Sequence, residues 1–367
     1  MTIPVMEMTD DDFMARAIRL ALRAQGKTSP NPLVGAVLVK NNHIVSEGWH
    51  RRCGGDHAEI VAIRKAGASA QGATLYVTLE PCFHYGRTPP CVDKIIDSGI
   101  REVVIGRKDP NPLTKGKSIA KLRRSGIEIK MGFKQKELDR MNEAYLKYIT
   151  EKMPFVVAKC AQTLDGKIAT GTGQSKWITS LEARRFARQL RNDFDAIAVG
   201  INTVLRDNPG LNAADRGKRI KKIIVDTSLR VTHNAKLFKG TRAGDCFVAT
   251  TQRADQAKIN LLKKKGINVI ICPERGGLVN LRWLFHELAR KEIASILIEG
   301  GSSLIGQALK GKLVDKLHIY IAPLLLGDQR ALNSITGLKT PRLSRAIRLK
   351  NMSLKQIGKD IFIQAYV

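Results

Sequence analysis

Acidic side chains are scarce in this chain. Its 367 residues hold 33 Asp and Glu against 62 Lys and Arg, a formal net charge of +29. That imbalance favours anionic partners such as nucleic acid, nucleotides or phosphorylated metabolites, without choosing among them. Aromatic residues are also few, at 5%. No basic stripe is interleaved with stacking side chains, which argues against a nucleic-acid groove. The basic residues are spread along the whole sequence, so the charge reads as general background plus steering of a phosphorylated substrate. No apolar run approaches the length of a membrane span. The first residues, MTIPVMEMTDDDF, lack the basic-then-apolar order of a secretory signal. Six unevenly spaced cysteines do not make a disulfide framework in a chain this long. A reducing cytoplasm is the expected setting, and there Cys near His points to metal.

What is present is a globular composition, 43% apolar and 26% charged. The length implies two domains. TDDDFMARAIRLALRAQG predicts a helix capped at Thr9/Asp10, with Phe13, Ala17, Ile18 and Ala21 on one face and Gly26 closing it. LVGAVLVKNNHIVSEGW predicts a hairpin turning at Asn41-Asn42. Helix and strand patterns then alternate: DHAEIVAIRKAG as a helix with Asp56 near its cap, ATLYVTLEP, CVDKIIDSG, REVVIG, GKSIAKLRRSG and IEIKMG. Such alternation implies a mixed sheet layered between helices. KQKELDRMNEAYLKYITEKM reads as one polar helical segment ended by Pro154. We place the boundary there, giving domains 1–150 and 151–367. The second half is also α/β, with strands at PFVVAKCAQTLDG, DAIAVG, KKIIVD, DCFVATT, NVIICP, SILIEGG and KLHIYIAP.

Two short clusters carry the chemistry of the first half. HAE places His57 two residues before Glu59, and PCFHYGRTPPC places eight residues between Cys82 and Cys91. One imidazole and two thiolates are good zinc ligands, and three protein ligands leave a fourth position for water. Zinc lowers the pKa of such a water towards neutrality. Glu59, at a helix start, is placed to move a proton without being a ligand. Cys82 and Cys91 lie at or near helix starts, where backbone N–H groups favour thiolate. The pattern resembles the H-x-E…P-C-x-x-C deaminase signature, apart from the longer cysteine gap. Cys53, in a Gly-rich turn, reads as a bystander, and His84 as a substrate contact. Cys160, Cys246 and Cys272 fall in strand patterns and read as packing. In the second half, ILIEGGSSLIG is a strand, a Gly-Gly turn and a helix start, an arrangement that can cradle phosphate. It is not G-x-G-x-x-G, so a Rossmann site is not indicated. A lone tryptophan such as Trp177 is more often core than a cofactor platform, and Arg191 alone reads as a solvated charge.

SPNPLVGAVLV, HAE, TLEPCFHYGRTPPC and DPNP together resemble the deaminase half of the bifunctional riboflavin-biosynthesis deaminase/reductase family. AKCAQTLDGKIA, GQSKWITS, DAIAVGINTVLRDNP, IIVDTSLR, ILIEGGSSLIG and LVDKLHIYIAPLLLG resemble its reductase half, in the same order. The resemblance implies a cytidine-deaminase-like three-layer α/β/α domain followed by a dihydrofolate-reductase-like α/β domain that uses NADPH. It implies zinc on His57, Cys82 and Cys91, Glu59 as proton shuttle, and Asn31 against the pyrimidine. Ala161, Trp177, Thr203, Asp207 and Thr227 would contact the dinucleotide. The turn Gly301, Ser302, Ser303, Leu304, Ile305, Gly306 and Gln307 would hold its phosphates. Ser175, Arg191, Leu211 and Glu299 would contact the phosphoribosyl substrate, with Arg191 suited to a phosphate. The chain departs from the family at Phe83 (Ser), Tyr85 (His), Gln174 (Glu) and Ala214 (Arg), and Arg216 is the cation left to replace the last. The implied activity is deamination of diaminohydroxyphosphoribosylaminopyrimidine, then NADPH-dependent reduction of the ribosyl group to ribityl. The expected partners are a phosphoribosyl pyrimidine and other copies of the chain, in a dimer or larger, with no nucleic acid and no membrane. A nucleic-acid base deaminase with an appended basic domain is the alternative. A non-catalytic zinc-stabilised binding module is a third.

Overall fold

The structure is a computed structural model and describes residues 8–85, 89–215 and 217–367. It divides into two units, Met1–Lys152 and Met153–Val367. In the first, the elements run α1 (Asp10–Leu22), β1 (Gly35–Lys40), β2 (His43–Trp49), α2 (Ala58–Ala66), β3 (Thr74–Val77), α3 (Cys91–Asp97), β4 (Glu102–Ile105), α4 (Lys117–Arg124), β5 (Glu128–Met131), α5 (Gln135–Met141) and α6 (Glu143–Glu151). The strands form one sheet in the order β2-β1-β3-β4-β5. β1 is antiparallel to both β2 and β3, and β3, β4 and β5 are parallel. Side chains alternate between its faces. Ala36, Leu38, Leu75, Val77, Val103 and Ile105 pack with α2, α3 and α4. Val37, Val39, Tyr76 and Val104 pack with Phe13, Met14 and Ala17 of α1 and Leu138 of α5. Period-two alternation thus produces the α/β/α layering.

Local chemistry fixes the elements that carry the site. Thr9 and Asp12 form a reciprocal capping box at α1. The helix ends at Leu22 rather than running on to Gly26, which supplies a left-handed residue (φ 72°) in the turn that follows. Asn41 (φ 51°) and Asn42 (φ 59°) both take the left-handed conformation that a two-residue hairpin turn requires. Gly48 lets α2 lie directly on β2: a Cβ there would stand 2.2 Å from the Ala58 carbonyl oxygen. Asp56 does not cap α2. The N-cap is His57, without a side-chain cap bond, and Asp56 pairs with Arg64 at 2.6 Å. The segment after β5 is two helices, not one. Buried Asn142 accepts from Leu33 N (2.8 Å) and donates to Leu33 O (2.9 Å), and the chain breaks there.

The second unit contains β6 (Phe155–Thr163), β7 (Lys167–Ala169), α7 (Leu181–Leu190), β8 (Ala196–Gly200), α8 (Ile201–Asp207), β9 (Lys221–Val225), β10 (Cys246–Thr250), α9 (Gln256–Lys264), β11 (Asn268–Ile271), β12 (Glu274–Arg275), β13 (Leu278–Val279), α10 (Leu281–Arg290), β14 (Ser295–Glu299), α11 (Ser302–Lys310), β15 (Lys316–Ala322), β16 (Leu332–Asn333), β17 (Lys350–Ile357) and β18 (Asp360–Tyr366). Nine of these strands form a sheet in the order β11-β10-β9-β8-β14-β6-β15-β18-β17. It is parallel from β11 through β15, and antiparallel where β18 meets β15 and β17. α10 and α11 cover one face, and α8 and α9 contribute to the core on the other. α7 packs over Tyr320 and Phe362 through Ala183 and Phe186. The β17–β18 hairpin was not among the strands read from the sequence.

Candidate functional site

In the first unit, α2 and α3 bring the ligand set together. His57 stands at the N-cap of α2, and Cys91 is the first residue of α3. His57 Nδ1 lies 3.1 Å from Cys91 Sγ and 3.5 Å from Cys82 Sγ. One donor atom from each of the three falls within 4.8 Å of the others. Cys82 is not at a helix start. It lies in the loop after β3, but the Cys91 backbone N–H, from the first turn of α3, donates to its sulfur at 3.1 Å. Contacts from Cys91, then His57, hold the Cys82 thiol well below its ordinary range against the cost of burial. The same Cys82 contact and burial push Cys91 up. A mixed imidazole and thiolate set of three suits zinc and leaves one tetrahedral position open.

Glu59 lies in the first turn of α2 and is 3% exposed. Its Oε2 has no hydrogen-bond partner among the described residues. Burial raises this carboxyl to about 7, against the lowering pull of His57. A buried carboxylate oxygen left unpaired is costly, and next to three metal-type donors it marks a place for a further ligand. Nothing in the sequence marks His50, yet the structure places it beside the site. It is buried, its ring centroid is 5.3 Å from that of His57, and its Nε2 is 3.3 Å from Asn31 Nδ2. His50 Nδ1 lies 3.0 Å from the Asp56 carbonyl oxygen. Asn31 therefore reaches the ligand set through His50. His84 Nδ1 is 3.3 Å from Thr114 Oγ1. Cys53 lies outside the ligand group. Phe83 packs against the core, and Tyr85 is exposed.

In the second unit, Thr203, Asp207, Thr227 and the turn from Gly301 follow the C-terminal ends of the neighbouring parallel strands β8, β9 and β14, where open α/β sheets bind ligands. β14 lies between β8 and β6. Gly300 (φ 102°) and Gly301 (φ 85°) follow β14 in the left-handed region, which favours glycine. A Cβ on Gly300 would meet the Thr203 side chain at 3.4 Å, and one on Gly301 would lie 3.7 Å from Gly200. The Gly300-Gly301 turn thus lies against Thr203 and the end of β8. Among the described residues no side chain caps α11, which leaves its first N–H groups to an anion. Ser302 is half-buried and Ser303 exposed, whereas Leu304, Ile305 and Gly306 are buried. Gln307 Nε2 is occupied by the Val279 carbonyl at 2.8 Å. Ser175 donates to Asp207 Oδ1 at 3.4 Å. Trp177 is 69% exposed, with the Arg184 guanidinium 4.2 Å from its ring centroid, so it is not a core tryptophan. Thr227 offers its carbonyl to the hydroxyls of Thr250 and Thr251. Ala161 is half-buried on β6.

Arg191 is not a solvated charge. Its Nε and Nη2 donate to the two Glu299 oxygens at 2.6 and 2.9 Å, and Nη1 donates to the Asn212 carbonyl at 2.9 Å. Burial acts to raise Glu299, but the guanidinium more than offsets it and the carboxyl sits below its usual range. The Leu211 side chain is buried in the core, with φ at 51°. Ala214 N donates to Asn192 Oδ1 at 3.1 Å. Arg216 lies outside the described residues. Cys160, Cys246 and Cys272 are buried, as packing residues should be.

Known proteins match along nearly the whole chain. Residues 7–107 match the family described as cytidine and deoxycytidylate deaminase zinc-binding region, and residues 154–363 match the RibD C-terminal domain. The riboflavin biosynthesis protein RibD of Actinobacillus pleuropneumoniae is 44% identical over 98% of this chain and 96% of its own length. That of Aquifex aeolicus is 41% identical over 96% and 97%. Among solved structures, Acinetobacter baumannii RibD superposes with a TM-score of 0.88 at 34% identity, covering 97% of this chain and 98% of that one. The Thermotoga maritima diaminohydroxyphosphoribosylaminopyrimidine deaminase/5-amino-6-(5-phosphoribosylamino)uracil reductase gives 0.85 at 34% identity, with the same coverage. With the zinc donor set in one unit and the glycine turn in the other, these likenesses settle the family: the chain belongs to the riboflavin biosynthesis protein RibD family.

Proposed function

We propose that the two units divide the work of a bifunctional enzyme, the first deaminating and the second reducing. The chain is a deaminase/reductase of riboflavin biosynthesis. Its first substrate is diaminohydroxyphosphoribosylaminopyrimidine, whose ring amino group is exchanged for oxygen with loss of ammonia. Its second reaction reduces the ribosyl group of the aminouracil product to ribityl. The observation that carries this reading is the gathering of His57, Cys82 and Cys91 within 4.8 Å next to a buried, unpaired Glu59 oxygen.

His57, Cys82 and Cys91 would hold zinc, which when bound acidifies water at its open position. Glu59 Oε2 is the proton carrier: it takes a proton from the attacking water and returns one to the leaving amine. Asn31 holds the pyrimidine, supported through His50. NADPH supplies the hydride of the second reaction. Ala161, Trp177, Thr203, Asp207 and Thr227 line its place, and the first turn of α11, from Gly301 through Ser303, faces its phosphates. The side chains of Leu304 and Ile305 serve the core behind that turn, where Gly306 is buried too. Ser175, Arg191, Leu211 and Glu299 belong to the phosphoribosyl substrate, Leu211 through its backbone, and Arg216 is assigned with them. Arg191 and Glu299 act as one unit, with Glu299 fixing the guanidinium.

The substrate is a free phosphoribosyl pyrimidine rather than a nucleic acid, and the enzyme works in the cytoplasm as a homo-oligomer. None of the six cysteines forms a disulfide among the described residues, and no described helix is long and apolar enough to cross a membrane. β17 is an edge strand, with Met352 and Leu354 at least 60% exposed and Leu343 just before it at 92%, a surface suited to another protein chain. The test is a coupled assay on the purified chain. Ammonia release should precede NADPH oxidation, one of each per molecule of pyrimidine phosphate. Ammonia released from oligonucleotides but not from the free pyrimidine phosphate would favour the base-deaminase alternative.

A further inference from the structure

Gly306 is a residue that the phosphate turn by itself does not explain. It is buried on α11, a full helical turn beyond the glycines that shape the anion site. A Cβ there would stand 1.7 Å from the carbonyl oxygen of Thr336. Gly306 is therefore a notch in the helix, and the segment around Thr336 lies in it. That segment is tied down on both sides. β16 pairs with β7, Ser334 N donates to Gly166 O at 3.0 Å, and Ile335 and Leu338 pack on the core beneath α11.

Seated in the notch, Thr336 grips the first residue of α11 at two points. Its backbone N–H donates to the Ser302 carbonyl at 3.3 Å, and its hydroxyl donates to Ser302 Oγ at 3.4 Å. A serine hydroxyl has one hydrogen to give and lone pairs to accept with. When Ser302 Oγ accepts from Thr336, its own hydrogen is left to point away from the strap. Charge-assisted donation to a phosphate oxygen then needs no rearrangement.

We infer that Thr336 is a positioning residue for the dinucleotide. It orients the Ser302 hydroxyl towards a cofactor phosphate, and Gly306 exists to admit it. This rests on the reading that the first turn of α11 holds the cofactor phosphates. It adds a residue 34 positions away from Ser302 that touches no ligand itself.

The experiment is calorimetric titration of the full chain with NADP+, with melting in the absence of NADP+ as the fold control. Thr336→Val keeps the shape and removes the hydroxyl. The expected result is a three- to tenfold rise in the dissociation constant, roughly what one hydrogen bond supplies. In turnover the same rise should appear in KM for NADPH and not in kcat. Thr336→Ser restores affinity. Ser302→Ala weakens binding, and adding Thr336→Val to it weakens binding no further, because the two act through one contact. Unchanged affinity in Thr336→Val with weakened binding in Ser302→Ala overturns the inference and leaves the phosphate turn standing. Unchanged affinity in both overturns the phosphate-turn reading itself.

Discussion

Arg191 and Glu299 come from positions 108 residues apart and meet in a two-point ion pair, with side chains only 20% and 8% exposed. Replacing Arg191 with Met would leave a buried carboxylate unpaired. Urea unfolding should show a loss of about 3–5 kcal/mol, and Arg191→Lys should recover only part of it because an ammonium cannot fork. His318 gives a pH signature. Burial, with Lys316 adding to it, lowers its pKa to about 4, from an ordinary 6.5. Between those values the unfolded chain binds a proton that the folded one refuses. Stability is therefore full above pH 6.5 and falls as pH drops towards 4, by up to about 3 kcal/mol. His318→Phe should flatten that limb of a plot of unfolding free energy against pH. Legibility at this scale follows sequence distance. His57 and Glu59 share one short motif, and Cys82 and Cys91 another, so they could be read as a site. The partner of Arg191 lies far along the chain, and His50 acts only through folded contacts with Asn31 and the Asp56 carbonyl.

At the scale of elements, the zinc donors depend on how closely α2 lies on the sheet. Gly48→Ala would drive a methyl into the Ala58 carbonyl, 2.2 Å away. Backbone, not a flexible side chain, is in the way, so α2 must shift. We expect a cost of about 3 kcal/mol and reduced zinc content by elemental analysis, with reductase activity retained. The helices and central strands were readable because their apolar residues recur at the period of the element. The failures have equally local causes. The Asn142 break depends on the Leu33 backbone, more than 100 positions earlier. β17 could not be found by alternation because seven of its eight residues are exposed and none is fully buried. A tryptophan taken alone reads as core, and only the family resemblance puts Trp177 at the cofactor; it stands exposed beneath Arg184.

At the scale of the whole chain, two units with separate cores match two family domains; the first holds a metal donor set and the second a glycine turn at the end of a parallel strand, to which we assign its cofactor. The central claim is that Glu59 carries the protons of the first reaction and takes no part in the second. Its most direct test is Glu59→Gln in the full chain, with ammonia release and NADPH oxidation followed together. Given the diaminopyrimidine substrate, the variant should release ammonia at least ~100-fold more slowly, and NADPH oxidation should fall with it. Given the deaminated product, it should oxidise NADPH at the wild-type rate. Ammonia release at the wild-type rate would contradict the account.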